Sequence, residues 1–220
     1  MNLFSVFDPT SYFMISVNWI VMIVVFLFFP IKYYLVKSGL MLMFKSSFLT
    51  VSKEFKEISY PSHMALNFLV VMVFMYLVVS NLLGLFPFVF TTTAHPMVTI
   101  GWGVVLWMSF FIMGWSKNFK NSAAHLVPEG SPLMLAPLMV LIESTSHVIR
   151  PFTLSVRLAA NMMAGHLIIG LLSMISSINF LGMVSSLLLQ SILMVLEFGV
   201  AVIQGFVFSI LLLLYALEYY

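Results

Sequence analysis

Between Leu133 and Tyr220 two long apolar tracts are interrupted by side chains that can do acid–base chemistry. The first carries Glu143, His147, Arg150, Arg157, Asn161 and His166; the second carries Gln190, Glu197, Gln204, Tyr215 and Glu218. Carboxylates and imidazoles accept and release protons. An arginine holds its charge at any physiological pH and cannot. These residue types suit proton transfer arranged around a fixed cation. The chain contains no cysteine, which removes disulfides, thiolate metal sites and cysteine nucleophiles. No GxxxxGK[ST] stretch occurs, so nucleotide chemistry is not expected on this chain.

Spacing sharpens the picture. At about 100° per residue, Glu143, His147, Arg150, Arg157 and Asn161 fall within about 40° of a common direction. They form one polar stripe on a helix. Ser186, Gln190, Glu197, Gln204 and Tyr215 form a second, with Glu218 slightly off it. A charge at a bilayer centre costs about 2.5–3.5 kcal/mol on insertion scales, and snorkelling relieves only residues near helix ends. Each stripe is therefore expected to face protein or water. His166 lies nearly opposite Arg157, among small neighbours Ala159, Ala160, Ala164 and Gly165 that allow close helix approach.

The one credible turn in this region is "SINFLG", from Ser177 to Gly182. Folding the arms there sets Arg157 beside Gln204, His166 beside Glu197, and Glu143 beside Glu218. Titratable pairs then stand at two depths with a non-titrating cation between them. That arrangement suggests two partial proton paths separated by a barrier. A single buried arginine is most often a structural ion pair, and a lone histidine on an apolar face is usually just hydrogen-bonded. A stripe of five polar groups is harder to explain that way.

The elements that must position these groups follow from composition. Of 220 residues, 62% are hydrophobic and 7% are charged; mean hydropathy is +1.14. An ordinary soluble domain is about 25% charged. The chain reads as a polytopic membrane protein. The opening "MNLFSVFDPTSYF" has no basic leader and reads as inserted without processing. Apolar spans are expected at about 15–35, 65–90 and 98–115, with an amphipathic surface helix rich in Lys and Glu after the first. The arms after residue 133 run about 40 residues each, or about 60 Å of helix against a bilayer core of about 30 Å. They must tilt strongly or overhang. The expected fold is an all-α integral membrane protein. It has about five membrane helices plus a surface amphipathic helix, and the last two are long, tilted and paired as a hairpin. It forms a single membrane domain over 1–220: a span and amphipathic helix in 1–64, a transmembrane hairpin in 65–120, and the long hairpin in 133–220. Lys37, Lys45, Lys53, Lys56, Lys117 and Lys120 fall on one side of this arrangement, as the positive-inside rule demands. The N-terminus faces the other side, and the C-terminus returns to the Lys-rich side.

Four stretches, "NLLGLFP", "HLVPEGSP", "LIESTSHVIRPFTLSVRLAANMMAGHL" and "VLEFGVAVIQGFVFSIL", closely resemble the stator subunit a of F-type ATP synthases in its mitochondrial form. The likeness covers nearly the whole chain. It implies two long tilted helices packed against a rotating ring of c subunits, each bearing one membrane carboxyl. It implies that Arg157 attracts that carboxylate and separates two half-channels. It further implies that Asn161, Gln204, His166, Glu197, Glu143, Glu218, Arg150 and Tyr215 lie along the proton path. His166 and Glu197 match the mitochondrial order of a pair that bacterial relatives carry reversed. The implied partners are the c ring, peripheral-stalk and other membrane-sector subunits, and membrane lipid. No cofactor, metal, nucleic acid or directly bound nucleotide is implied. The implied location is the mitochondrial inner membrane, with the N-terminus toward the intermembrane space and the C-terminus near the matrix. On the residues alone, a proton-coupled secondary transporter or a membrane subunit of a proton-pumping redox complex stays open, although no internal repeat of the transporter kind is evident. A bare membrane scaffold would have no need of Arg157 in a polar stripe.

Overall fold

The computed structural model describes residues 7–9, 16–28, 38–59, 64–86, 89–117, 119–124, 126–127, 133–176 and 180–219. Among these residues the regular structure is helical throughout. The helices are α1 (Val21–Val24), α2 (Gly39–Ile58), α3 (Met64–Gly84), α4 (Pro96–Lys117), α5 (Phe119–Ala124), α6 (Ala136–Ser176) and α7 (Phe180–Tyr219). Four of them, α3, α4, α6 and α7, are long and apolar enough to cross a membrane. The first expected span is represented by α1 between two 3-10 turns, Val17–Ile20 and Val25–Phe28. The rest of that span, and the turn at 177–179, lie outside the described residues.

Local chemistry accounts for three of the helix ends. Ser38 caps α2, its Oγ accepting from the Met41 amide at 3.3 Å. Pro96 opens α4, where its missing N–H goes unneeded. α3 stops at Gly84, six residues short of the expected boundary at Phe90. The chain turns there, and a Cβ on Gly84 would lie 3.2 Å from the Thr91 methyl. The segment Thr91–Ala94 then folds inward and is buried. α6 and α7 span 41 and 40 residues, as their apolar lengths require. α6 continues through Pro151, which membrane helices tolerate because neighbouring helices and side chains absorb the lost bond. Buried serines satisfy themselves within their helices: Ser155 donates to the Phe152 carbonyl at 3.0 Å and Ser209 to that of Phe206 at 2.8 Å.

The core lies where α3 meets α7, α4 and α6. Val70, Val71 and Leu77 of α3 pack with Phe208, Leu212 and Leu213 of α7, Phe110 of α4, and Leu154 and Leu158 of α6. α2 lies outside with Lys45, Lys53, Glu54, Lys56 and Glu57 exposed. Its Phe55 is fully buried, stacked on Phe206 at 5.9 Å and edge-on to Phe74 at 6.0 Å. The amphipathic helix is thus fixed to the bundle by Phe55, by Phe48 against Phe68, and by Asn67 of α3 donating to the Ser52 carbonyl at 3.3 Å. Helices without a hydrophobic drive between them associate through close packing at small residues. Gly205 of α7 sits against Val78 of α3, and Gly103 of α4 sits against Ser155 and the Pro151 carbonyl of α6.

That contact generates a paired prediction. A Cβ on Gly103 would lie 3.1 Å from Ser155 Cβ and 3.3 Å from the Pro151 oxygen, whereas nothing lies within 4 Å of one on Gly101. Gly103→Leu should destabilise the chain by about 1–3 kcal/mol through overpacking, and Gly101→Leu should be near neutral. Thermal unfolding in detergent micelles checks this; equal melting temperatures for the two variants would contradict it.

Candidate functional site

α6 and α7 lie antiparallel in contact, and α3 and α4 cover part of their length. The polar stripe of α6 is therefore covered at one end and open farther along. His147 is buried and Glu143 and Arg150 are half-buried, but Arg157 and Asn161 are exposed on the outer surface of the chain. Among the described residues the ion pairs are those of Glu143 with His147, Glu143 with Arg150, and Arg150 with Glu218. Arg157 takes part in none of them. A guanidinium projecting from a helix of this apolarity, with no ion pair among the described residues, is open to a counter-charge from outside.

The residues near Arg157 are arranged as follows. Asn161, one turn along α6, donates from Nδ2 to Oε1 of Gln204 at 3.1 Å. Gln204 is buried, and its own Nε2 has no protein partner. The sequence set Gln204 level with Arg157, and the structure bonds it one turn farther along. Asn81 of α3 is fully buried behind this pair, donating to the Ala201 carbonyl at 3.3 Å while its Oδ1 has no partner.

Glu197 of α7 reaches α6 at Gly165, the residue before His166. The Glu197 carboxylate folds over Gly165, filling the space a side chain would occupy there. His166 Nε2 and Glu197 Oε2 are buried atoms without protein partners, and the two side chains make no direct ion pair. Phe7 meets the His166 ring edge-on at 6.4 Å, and Ala94 packs with Phe7, Met162 and Ala201 to close the region from the side. Neither Phe7 nor the Thr91–Ala94 segment was marked by the sequence. Their contacts are long-range and leave no periodic signal.

At the opposite end of the hairpin, Arg150 joins the two helices. Its Nη1 lies 3.1 Å from Glu218 Oε2, its Nη2 lies 3.3 Å from Glu143 Oε1, and its guanidinium stands 5.4 Å from the centre of the Tyr215 ring. Glu143 and Glu218 are brought together as the folded register implied, and Arg150 is the bridge between them. The donor atoms of Glu143, His147 and Glu218 lie within 4.8 Å of one another. That donor set is of metal-binding type, but Arg150 already engages both carboxylates, so the group is an ion-pair cluster. The site as a whole is two acid–base clusters at different depths with an outward-facing arginine between them.

Comparison with known proteins bears on this arrangement. Residues 12–216 match the sequence profile of the ATP synthase A chain family. The chain is 44% identical over 218 residues to "ATP synthase subunit a" of Artemia franciscana, covering 99% of both proteins. It is 42% identical over 219 residues to that of Drosophila melanogaster, covering 99% of this chain and 98% of the relative. The Anopheles gambiae protein of the same name is also 42% identical, over 221 residues. A match of this length and extent shows that the chain belongs to the ATP synthase A chain family, that of subunit a of the F-type enzyme in its mitochondrial form.

Proposed function

We propose that the chain is the proton-conducting stator of the mitochondrial ATP synthase membrane sector, working with a ring of c subunits across the face that bears Arg157. The observation that carries this reading is Arg157 itself. It is an exposed, permanently charged side chain in an apolar helix, with no ion pair among the described residues. Its counter-charge is a carboxylate on each passing c subunit.

The mechanism follows from solvation. A c-subunit carboxylate is stable as an anion beside Arg157 but costly as an anion in hydrocarbon. It must take up a proton before it moves into lipid and give one up before it returns. His166 and Glu197 load it from the intermembrane-space side. Glu143, with Arg150, Glu218 and Tyr215, receives the released proton toward the matrix. Buried polar atoms without protein partners, on Asn81, His166, Glu197 and Gln204, suit a path that water lines. Arg157 bars direct passage between the two routes, because a guanidinium does not give up its proton to relay another. Asn161 and Gln204, bonded to each other, brace the helices beside it. Each proton crossing 100 mV yields about 2.3 kcal/mol, so several are summed per turn. The ATP chemistry lies on other subunits of the complex. The N-terminus faces the intermembrane space and the C-terminus the matrix, in keeping with the lysines on one side.

Two outcomes test this. Arg157→Ala should leave the complex assembled, since the side chain lies outside the packed core, and should lower proton-driven ATP synthesis by about a hundredfold or more. Synthesis at a normal rate in an assembled complex would overturn the reading. Gly165→Ala should displace the Glu197 carboxylate and slow proton-driven synthesis, whereas Gly199→Ala, with open space at its Cβ, should not. Equal rates for the two variants in energised membranes would remove the Glu197 position from the loading route.

A further inference from the structure

His147 is the one ionisable side chain of the α6 stripe that the proton route above leaves unused. We propose that it is a further proton-carrying residue on the Lys-rich side, set one turn inside Glu143 and handing its proton to that carboxylate. This rests on the reading of the chain as a proton-conducting stator.

Three observations converge on it. His147 Nε2 lies 3.4 Å from Glu143 Oε1. His147 is four residues nearer to Arg157 along α6, so a proton travelling outward from Arg157 meets the imidazole first. Side-chain exposure also rises in that order, at 10% for His147, 30% for Glu143 and 39% for Glu218. A buried acceptor followed by progressively wetter ones is the order that a release path requires. The step is a simple transfer. The imidazolium Nε2–H donates to the Glu143 carboxylate, leaving a neutral imidazole and a neutral carboxyl, and the carboxyl then loses its proton to water at the surface.

The carboxylates grouped with His147 are Glu143 on its own helix and Glu218 on α7, both of them engaged by Arg150. α4, packed on α6 at Gly103, has no ionisable side chain from Pro96 to Ser116. A cation competing for the same donors would have to displace Arg150 from both carboxylates, which favours proton transfer over metal binding. Histidine is the side chain whose unperturbed charge changes between about pH 5 and 8. The role therefore has a signature that packing alone would not produce.

The experiment measures ATP synthesis by the assembled complex in energised membranes, at fixed driving force, as the pH on the Lys-rich side is varied. The wild-type rate should show an inflection as that pH is varied. His147→Gln and His147→Asn should each lower the rate several-fold and abolish that inflection. A wild-type profile without an inflection, or a variant that keeps it whatever its rate, overturns the proposal. Arg157→Ala measured alongside separates the two levels: lost synthesis there with an unchanged His147→Gln profile discards His147 alone, and retained synthesis there discards the stator reading itself.

Discussion

Placing an ion in hydrocarbon is expensive, and a guanidinium cannot escape that cost by losing its proton. The rest of this structure is arranged around that constraint at Arg157. Two carboxylates of the long hairpin are held locally, Glu143 and Glu218 both by Arg150, and the Glu197 carboxylate is folded over Gly165. Arg157 is left facing outward, on a helix whose neighbouring surface is apolar, including Val156 and Phe152. An exposed cation rimmed by oily side chains is poorly placed in lipid and well placed against a partner that brings a carboxylate.

The helices serve this placement through their length. A span of about 20 residues would cross the bilayer and could present one cluster near one depth. Arms of 41 and 40 residues extend through about 60 Å and carry acid–base groups at several levels on a continuous scaffold. α3 and α4 pack against them at Gly205 with Val78 and at Gly103 with Ser155, contacts that hold the long helices at fixed height with little side-chain bulk. The inward fold of Thr91–Ala94 and the contact of Phe7 with His166 seal the region around Met162 from the side. Under the proposed function such rigidity would serve proton transfer, which requires hydrogen-bond distances.

Much of this could be read from residue types and period. The helical stripe on α6, the length of both arms and the approach of Glu197 to the Gly165 turn of α6 follow from 3.6-residue periodicity and one turn near residue 181. The prediction of Gln204 beside Arg157 came from treating the arms as an even ladder. Packed helices meet by diagonal reach of side chains, and Gln204 accepts from Asn161, one turn along from Arg157. α3 ended earlier than its apolar run suggested, because hydropathy does not register the change of direction that Gly84 permits against Thr91. Arg150 was marked by its place in the α6 stripe as well as by the family likeness, but its bridge to Glu218, 68 residues away, is a tertiary fact with no local signature. The same holds for Phe7 and the buried threonine segment.

The central claim is that Arg157 separates two proton routes, so the most direct measurement is passive proton conductance. The membrane sector, stripped of its catalytic head and with the c ring locked against rotation by a covalent cross-link, is reconstituted into sealed vesicles under a potential. With Arg157 present the vesicles should hold their gradient, and with Arg157→Ala they should leak protons although the ring cannot turn. A locked Arg157→Ala sector as tight as the wild type would contradict the account.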